Sequence, residues 1–484
     1  MCIAIVASAT DYAVPIVVSI NGESSVQTGV VTVTEADGNC TLTLKNFMLS
    51  GADGPMPVGN VELTDIQSRQ DGDATLLMAS QVVTIAPGDE ALSPFWMASM
   101  LPPVPVNLCA KIIGDRLNAY IDIDLVAALG QVIQVTIGDG YGLQLLNRGF
   151  EEWHTSTGSY VEPNAWHSFE SATGSLAALA GHHITKSDDA HTGTASARLY
   201  ATSIFGIVAN GTMTTGRMNA GSMIASDAAN HAYLDMSQTD VDGNGDHFYT
   251  PLYSRPDSIA FWVKFKQGKP TPAHPYATMS AVITDGTSYQ DPEDKAYTNV
   301  VAKAQNKEIA TTDGGWVRVV APFVYTDNAV APKAILVTLS TNADPGSGSA
   351  NDELLVDDGE LIYNVGLKSL KIKGQDVPEF AEDKTSYTMT LNEPFTASDI
   401  EAEAVSPSVY VLKDVKTTES GSQCVVTAFS GDLSKAVVYT VTIPANPPVD
   451  IQQITSLIDQ YLQVGSTVTV ADITALIAKY LEQR

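Results

Sequence analysis

From Ile16 to Ile443 the chain is a succession of short runs rich in Val, Ile, Thr and Tyr, and Gly, Asn, Asp or Pro recurs between them. That punctuation confines the chain to antiparallel β architectures, sandwiches or barrels. The first set of runs lies in residues 12–142. Ile16-Val17-Val18-Ser19-Ile20 and Gly29-Val30-Val31-Thr32-Val33-Thr34 open it, and Cys40-Thr41-Leu42-Thr43-Leu44 alternates after the turn at Asp37-Gly38-Asn39. Val58-Gly59-Asn60-Val61-Glu62-Leu63, Ala119-Tyr120-Ile121-Asp122-Ile123-Asp124 and Val132-Ile133-Gln134-Val135-Thr136-Ile137 complete it. Consecutive antiparallel runs of this kind predict an up-and-down barrel. A second set fills residues 143–366 and a third fills 367–444. At 484 residues the length suits about three or four domains.

Charge narrows the function classes. Lys and Arg number 26 against 55 Asp and Glu, a net charge of −29. Such a surface repels phosphate backbones and argues against nucleic-acid binding. Cys2, Cys40, Cys109 and Cys424 form no metal-type cluster. Cys40 and Cys109 share one expected domain and could pair, but their strand-like neighbours favour buried free thiols. No apolar run reaches the ~18 residues that a membrane helix needs. Met1-Cys2-Ile3-Ala4-Ile5-Val6-Ala7-Ser8-Ala9 offers an Ala7-x-Ala9 cleavage site after a short apolar run. It reads as a signal-peptide remnant over residues 1–11, or else as a first strand.

Two patterns before residue 367 resemble known families. Leu44-Lys45-Asn46-Phe47 followed by Pro57-Val58-Gly59-Asn60-Val61-Glu62-Leu63 looks like the calycin-like barrel at the front of envelope proteins. Such a barrel either holds a small apolar ligand or is filled by its own side chains. In the central stretch, Asn147-x-Gly149-Phe150-Glu151, His191-Thr192-Gly193 and Val356-Asp357-Asp358 resemble the carbohydrate metabolism domain of Gram-negative envelope proteins. That family is related to jelly-roll carbohydrate-binding modules. The resemblance implies a jelly roll over 143–366 and one structural calcium. Glu151, Asp357 and Asp358 would supply carboxylates and Gly193 a turn carbonyl, a donor set that suits a hard cation. Asp240-Val241-Asp242-Gly243-Asn244-Gly245-Asp246 imitates the start of an EF-hand loop, but its twelfth position is Pro251. It is expected to be a solvated turn, with a second calcium as the alternative.

Sugar recognition needs exposed rings beside polar edges. Trp153, Tyr160, Trp166 and His167 fall in a Gly-, Ser- and Pro-rich stretch, and Tyr249 and Tyr289 lie further along. Trp166 follows the reversal at Pro163-Asn164-Ala165 and is the leading platform, whereas Trp262 and Trp316 sit in strand runs and are expected in the core. Glu151, Glu152 and Glu162 raise the possibility of hydrolysis, which needs two carboxylates about 5–9 Å apart. No hydrolase signature surrounds them.

Gly366-Leu367-Lys368-Ser369-Leu370-Lys371-Ile372-Lys373-Gly374, Thr385-Ser386-Tyr387-Thr388-Met389-Thr390 and Tyr439-Thr440-Val441-Thr442-Ile443 resemble the cadherin-like β-sandwich (Ig-like in form) of bacterial surface proteins. Pro444-Ala445-Asn446-Pro447-Pro448 then reads as a linker. In 449–484, Ile454-Thr455-Ser456-Leu457-Ile458 recurs as Ile473-Thr474-Ala475-Leu476-Ile477, a helical hairpin. Val470-Ala471-Asp472-Ile473-Thr474 resembles a dockerin helix start without its calcium loop. The fold expectation is therefore mainly β: a calycin-like barrel, a jelly roll, a small sandwich and a C-terminal helical hairpin. The functional expectation is a non-catalytic, exported protein at the cell surface, in the periplasm or outside the cell. It would bind an oligo- or polysaccharide, with an envelope protein as a further partner. A glycoside hydrolase and a structural or adhesive protein without a sugar site are the alternatives.

Overall fold

The computed structural model describes residues 8–36, 38–51, 54–327, 329–391, 393–418, 420–445 and 451–482. Cys2 and residues 446–448 of the linker lie outside them, as do positions 1–7 of the expected signal-peptide remnant. Positions 8–11 of that remnant instead belong to the first strand and pair with residues 32–35. The chain is mainly β and divides into two compact units.

The larger unit begins with a closed eight-stranded antiparallel barrel. Its strands are β1 (Ser8–Ile20), β2 (Glu23–Ala36), β3 (Asn39–Gly51), β4 (Gly54–Asp71), β5 (Ala74–Val83), β6 (Val104–Ile113), β7 (Arg116–Leu125) and β8 (Gln131–Ile137). Each pairs with the next, and β1 closes on β8 from Ile16↔Ile137 to Ile20↔Ile133. Alternation turns Ile16, Val18, Val31, Val33, Cys40, Leu42 and Leu44 inward. The Asn46 and Asn60 of the calycin-like motif have a local purpose. β3 bulges against β4 between Leu44 and Phe47. Asn46 adopts a left-handed conformation there, donates its N–H to Asn60 Oδ1 at 2.7 Å, and accepts from Asp89 N–H at 2.8 Å. The interior is not completely filled: a cavity of about 260 Å³ remains, lined by apolar side chains apart from Gln131. Cys40, Cys109 and Cys424 are buried free thiols.

Two sheets follow in the same unit. One has five strands in the order Ile184–Ser187, Ser196–Tyr200, Glu353–Ile362, Ser258–Lys266, Val317–Pro322. The other runs Thr212–Thr214, Ala334–Ser340, Ala277–Thr284, Val300–Ile309, Val324–Tyr325, with Thr250–Pro251 also on Ala334–Ser340. Phe261, Val263 and Phe265 from the first sheet and Met279, Ala281, Val337 and Leu339 from the second share one core. Within the larger unit, Lys111 of β6 is fully buried and donates to Asp71 Oδ2 (2.7 Å), Tyr253 O (2.6 Å) and Tyr410 Oη (2.9 Å).

A unit boundary falls after Gly366, and residues 367–444 are divided between the two units. Residues 404–412 and 427–437 belong to the larger unit. The reason is apolar: Tyr410, Phe429 and Leu433 share a cluster with Leu76, Cys109, Tyr120 and Leu143. From Leu367 onward the chain forms two further sheets. One takes the order Gln375–Asp376, Leu367–Ile372, Ile400–Ala404; the other takes Ser386–Thr388, Ala436–Pro444, Gly421–Phe429, Tyr410–Thr418. Helices Ile451–Tyr461 and Val470–Glu482 follow them. Asp472, the residue matching a dockerin ligand position, is engaged in a capping box. Its carboxylate accepts from Thr469 N–H at 2.8 Å, and its N–H donates to Thr469 Oγ1 at 3.3 Å. Among the described residues no helix is long and apolar enough to cross a membrane.

Candidate functional site

The six-stranded sheet presents its second face to a groove of about 410 Å³. The floor follows from strand alternation. With Ala277, Met279 and Ala281 in the core, Thr278 and Ser280 must face outward. Thr338 and Ser340 do the same on the neighbouring strand, where Val337 and Leu339 point inward. Ser280 stands between Thr338 and Gln305, and Thr278 stands opposite Ser340. Gln305 and Lys307 extend the polar floor. The walls are mainly apolar, from Phe169, Leu176 and Leu179 on one segment and Ile204, Ile207, Met218 and Met223 on another, with Asn219, Asn230 and His231 among them. Asp291 is the one carboxylate among the lining residues, and it already accepts Ser280 Oγ at 2.7 Å. The groove can therefore offer hydroxyls, amides and one ammonium over a polar floor between mainly apolar walls.

None of the six aromatic and histidine residues expected to bind sugar lines this groove. Trp166 is fully buried, tilted on Phe150 at 5.3 Å and edge-on to Phe261 at 5.9 Å, with Nε1 donating to Leu146 O at 3.1 Å. The platform assignment fails there because the reversal at Pro163–Ala165 directs the ring between the sheets. His167 is buried against Phe248 and Tyr289 against Tyr297, so neither presents a face. Trp153 and Tyr249 are half-buried, and Tyr160 is exposed. Trp262 and Trp316 correct the opposite expectation. Both are half-buried; His191 stacks on the Trp262 ring at 3.9 Å, and Lys264 covers Trp316 at 5.0 Å. The alternation Phe261, Val263, Phe265 inward already sends Trp262 and Lys264 outward. The groove's floor carried the same signal in Thr278-Met279-Ser280 and Thr338-Leu339-Ser340.

The residues of the calcium expectation do converge. The turn 191–195 passes between them. Glu151 accepts from Thr194 N–H (2.8 Å), Thr194 Oγ1 (2.6 Å) and Ala195 N–H (3.1 Å), which hold its carboxyl below the usual range. Asp357 accepts from His191 N–H (2.7 Å), and Asp358 from His191 Nδ1 (2.7 Å). Burial pushes the Asp357 carboxyl up to about 6 despite those donors. Gly193 sits in the left-handed region, and a Cβ there would collide with Glu151 Oε1, so the turn requires glycine.

The Asp240–Asp246 run is not simply a solvated turn, because Asp240 points inward and is buried. Strands β9 (Trp153–Thr155) and β10 (Val161–Pro163) form a hairpin that brings His154 and Glu162 to it. One ligand-type atom from each of His154, Glu162 and Asp240 lies within 4.8 Å of the others. Burial drives the Glu162 carboxyl up to about 7, against the Ser168 hydrogen bond and the nearby His167. Burial also disfavours the charged form of Asp240, yet the neighbouring His167 outweighs it and holds that carboxyl below its usual value.

Fold and groove together define a mainly β protein with a calycin-like barrel ahead of a two-sheet sandwich carrying an open groove. Residues 9–138 match the family model of the calycin-like beta-barrel domain. Among solved structures, a candidate glycoside hydrolase from Bacteroides thetaiotaomicron is 15% identical, covers 51% of this chain and 79% of its own, and gives a TM-score of 0.34. A second candidate glycoside hydrolase, from Bacteroides vulgatus, is 18% identical, covers 44% of this chain and 96% of its own, and gives 0.31. Both likenesses are too distant to assign an activity. No curated protein sequence matches the chain.

Proposed function

We propose that the groove on the six-stranded sheet binds a glycan without cleaving it, and that the protein acts outside the cytoplasm. The observation that carries the proposal is the floor of Thr278, Ser280, Gln305, Lys307 and Thr338 between mainly apolar walls. Hydroxyls and amides in rows pair with sugar hydroxyls, while Phe169 and the aliphatic walls suit the apolar faces of sugar rings. Binding is favoured over hydrolysis because a glycosidase needs two carboxylates flanking one bond, and Asp291 is the only one among the lining residues. Calcium at Glu151 and Asp357 belongs to the same proposal as a structural ion for the domain.

The test is a neutral and acidic polysaccharide array, followed by calorimetric titration of the hits and a reducing-sugar assay. Gln305→Ala combined with Lys307→Ala removes two exposed floor side chains. Loss of about 1–2 kcal/mol of binding, some 5- to 30-fold in Kd, is expected for two surrendered hydrogen bonds. Unchanged affinity of a hit would refute the groove. Release of reducing sugar would refute the non-catalytic reading, and an empty array would favour a structural or adhesive protein.

A further inference from the structure

Four side chains near the β9–β10 hairpin share one unusual feature. Each is anchored through one polar atom, and three leave the other buried without a hydrogen-bond partner. His154 Nδ1 contacts Asn164 Oδ1 at 3.1 Å, and its Nε2 has no partner. Glu162 Oε1 accepts from Ser168 N–H at 3.0 Å and from Ser168 Oγ, and its Oε2 has no partner. His167 Nε2 contacts the His247 carbonyl at 3.2 Å, and its Nδ1 has no partner. Asp240 Oδ1 accepts from Gly243 N–H at 3.2 Å, while its Oδ2 lies 3.6 Å from His167 Nδ1, too far for a hydrogen bond. Glu162 is 1% exposed and Asp240 4%. A buried polar atom without a partner is costly, and several aimed at one spot call for a shared occupant.

We propose that His154 Nε2, Glu162 Oε2 and Asp240 Oδ2 bind one divalent transition-metal ion of the zinc class. The donor set decides the class. An imidazole nitrogen with two carboxylates suits zinc, whereas calcium prefers oxygen alone. The tautomer fits as well. Because Asn164 Oδ1 can only accept, His154 Nδ1 carries the hydrogen and Nε2 presents a lone pair, the second-shell arrangement typical of metal-bound histidines. Separations of at most 4.8 Å contract to the roughly 3.3 Å of a tetrahedral zinc site through small side-chain rotations. Gly243 leaves the space open: a methyl group there would fall against Asp240 Oδ2 and lie 2.7 Å from His154 Nε2. Glu170, the next acid along, lies against His182 instead, 3.2 Å from its Nδ1. The ion would fasten the β9–β10 hairpin to the 240–246 turn. It is separate from the calcium proposed at the 191–195 turn, which uses none of these residues.

The full chain, stripped with EDTA and dialysed, is titrated with zinc chloride by calorimetry and with cobalt(II) by visible absorption. One tight zinc per chain is expected, with cobalt giving the d–d bands of nitrogen and oxygen ligation. A 1,000-fold excess of calcium should not displace it. Glu162→Gln should weaken zinc binding at least 100-fold. Gly243→Ala keeps every ligand, and its φ lies outside the left-handed region, so it should weaken binding by blocking the space even if Glu162→Gln fails to fold. Glu151→Gln should leave zinc affinity within twofold. Absence of stoichiometric zinc binding overturns the proposal. So does equal affinity in wild type and Gly243→Ala.

Discussion

Trp166→Ala separates a core role from a binding role in one variant. The side chain is wholly buried between the two sheets, in contact with Phe150 and Phe261. A buried Trp removes roughly 150–250 Å² from water, which at about 25 cal/mol per Å² is about 4–6 kcal/mol as an upper bound. Measured Trp-to-Ala truncations fall at about 3–5 kcal/mol. The lost Nε1 bond strands the Leu146 carbonyl, so the upper part of that range, about 4–5 kcal/mol, is expected. For a domain of 150–250 residues each kcal/mol moves Tm by about 2–4 °C, so the transition of the two-sheet domain should fall by roughly 8–20 °C. Differential scanning calorimetry of the full chain resolves this, with both proteins scanned at one rate because large chains often unfold irreversibly. A fall of less than about 3 °C accompanied by weaker glycan binding would refute the core assignment and restore Trp166 as a platform.

Three further outcomes follow from the geometry. Calcium chloride added to metal-stripped protein should raise Tm by mass action, and Glu151→Gln should abolish most of the rise; a melt indifferent to calcium would remove the ion from the 191–195 turn. Burial works against the charged Asp71 carboxylate, but Lys111 outweighs it and its folded pKa is lowered. The stability it contributes is present above the unfolded pKa of about 3.9 and is lost as pH falls through the lower folded value. Asp71→Asn should therefore lower the urea midpoint at pH 6 and narrow the gap between pH 6 and pH 3, and equal gaps would contradict the pairing. Deleting residues 449–484 should leave the chain monomeric with its β transitions within about 1–2 °C, since helix Ile451–Tyr461 has no buried residue; aggregation of the truncated chain would show that the helices cover an apolar face.

The barrel was legible because its rule is local. Alternation within each run chose the inward face, so Cys40, Leu42 and Leu44 could be placed without knowing the partner strand. Trp166 shows where local reasoning stops. The reversal at Pro163-Asn164-Ala165 is real: Trp166 N–H bonds to Pro163 O, and Ala165 has a positive φ. A turn residue, however, points outward or inward according to what lies beneath the turn, and here that is the seam between two sheets. Trp262 was misread for a related reason. In Phe261-Trp262-Val263 three large apolar residues look like one buried run, although a strand with one face on the core can bury only alternate positions.

The buried cluster is the strongest case of information that no count along the chain can reach. An EF-hand template asks for oxygens at fixed offsets within one loop, and Asp240–Asp246 fails that template at Pro251. The loop nevertheless contributes, through Asp240 alone, while Asp246 accepts from Asn244 Nδ2 at 2.7 Å and supports the turn. The other donors come from opposite strands of a hairpin nearly eighty residues earlier. Pairing Glu162 with His154 sets them side by side, and the tie from Asp246 to Ala165 N–H brings the loop against the same hairpin. In the sequence Glu162 is one of three clustered acids weighed for hydrolysis, and acids are rarely buried unpaired. Its burial, with Oε2 left without a donor, is the departure from the general pattern that marks a site rather than a surface.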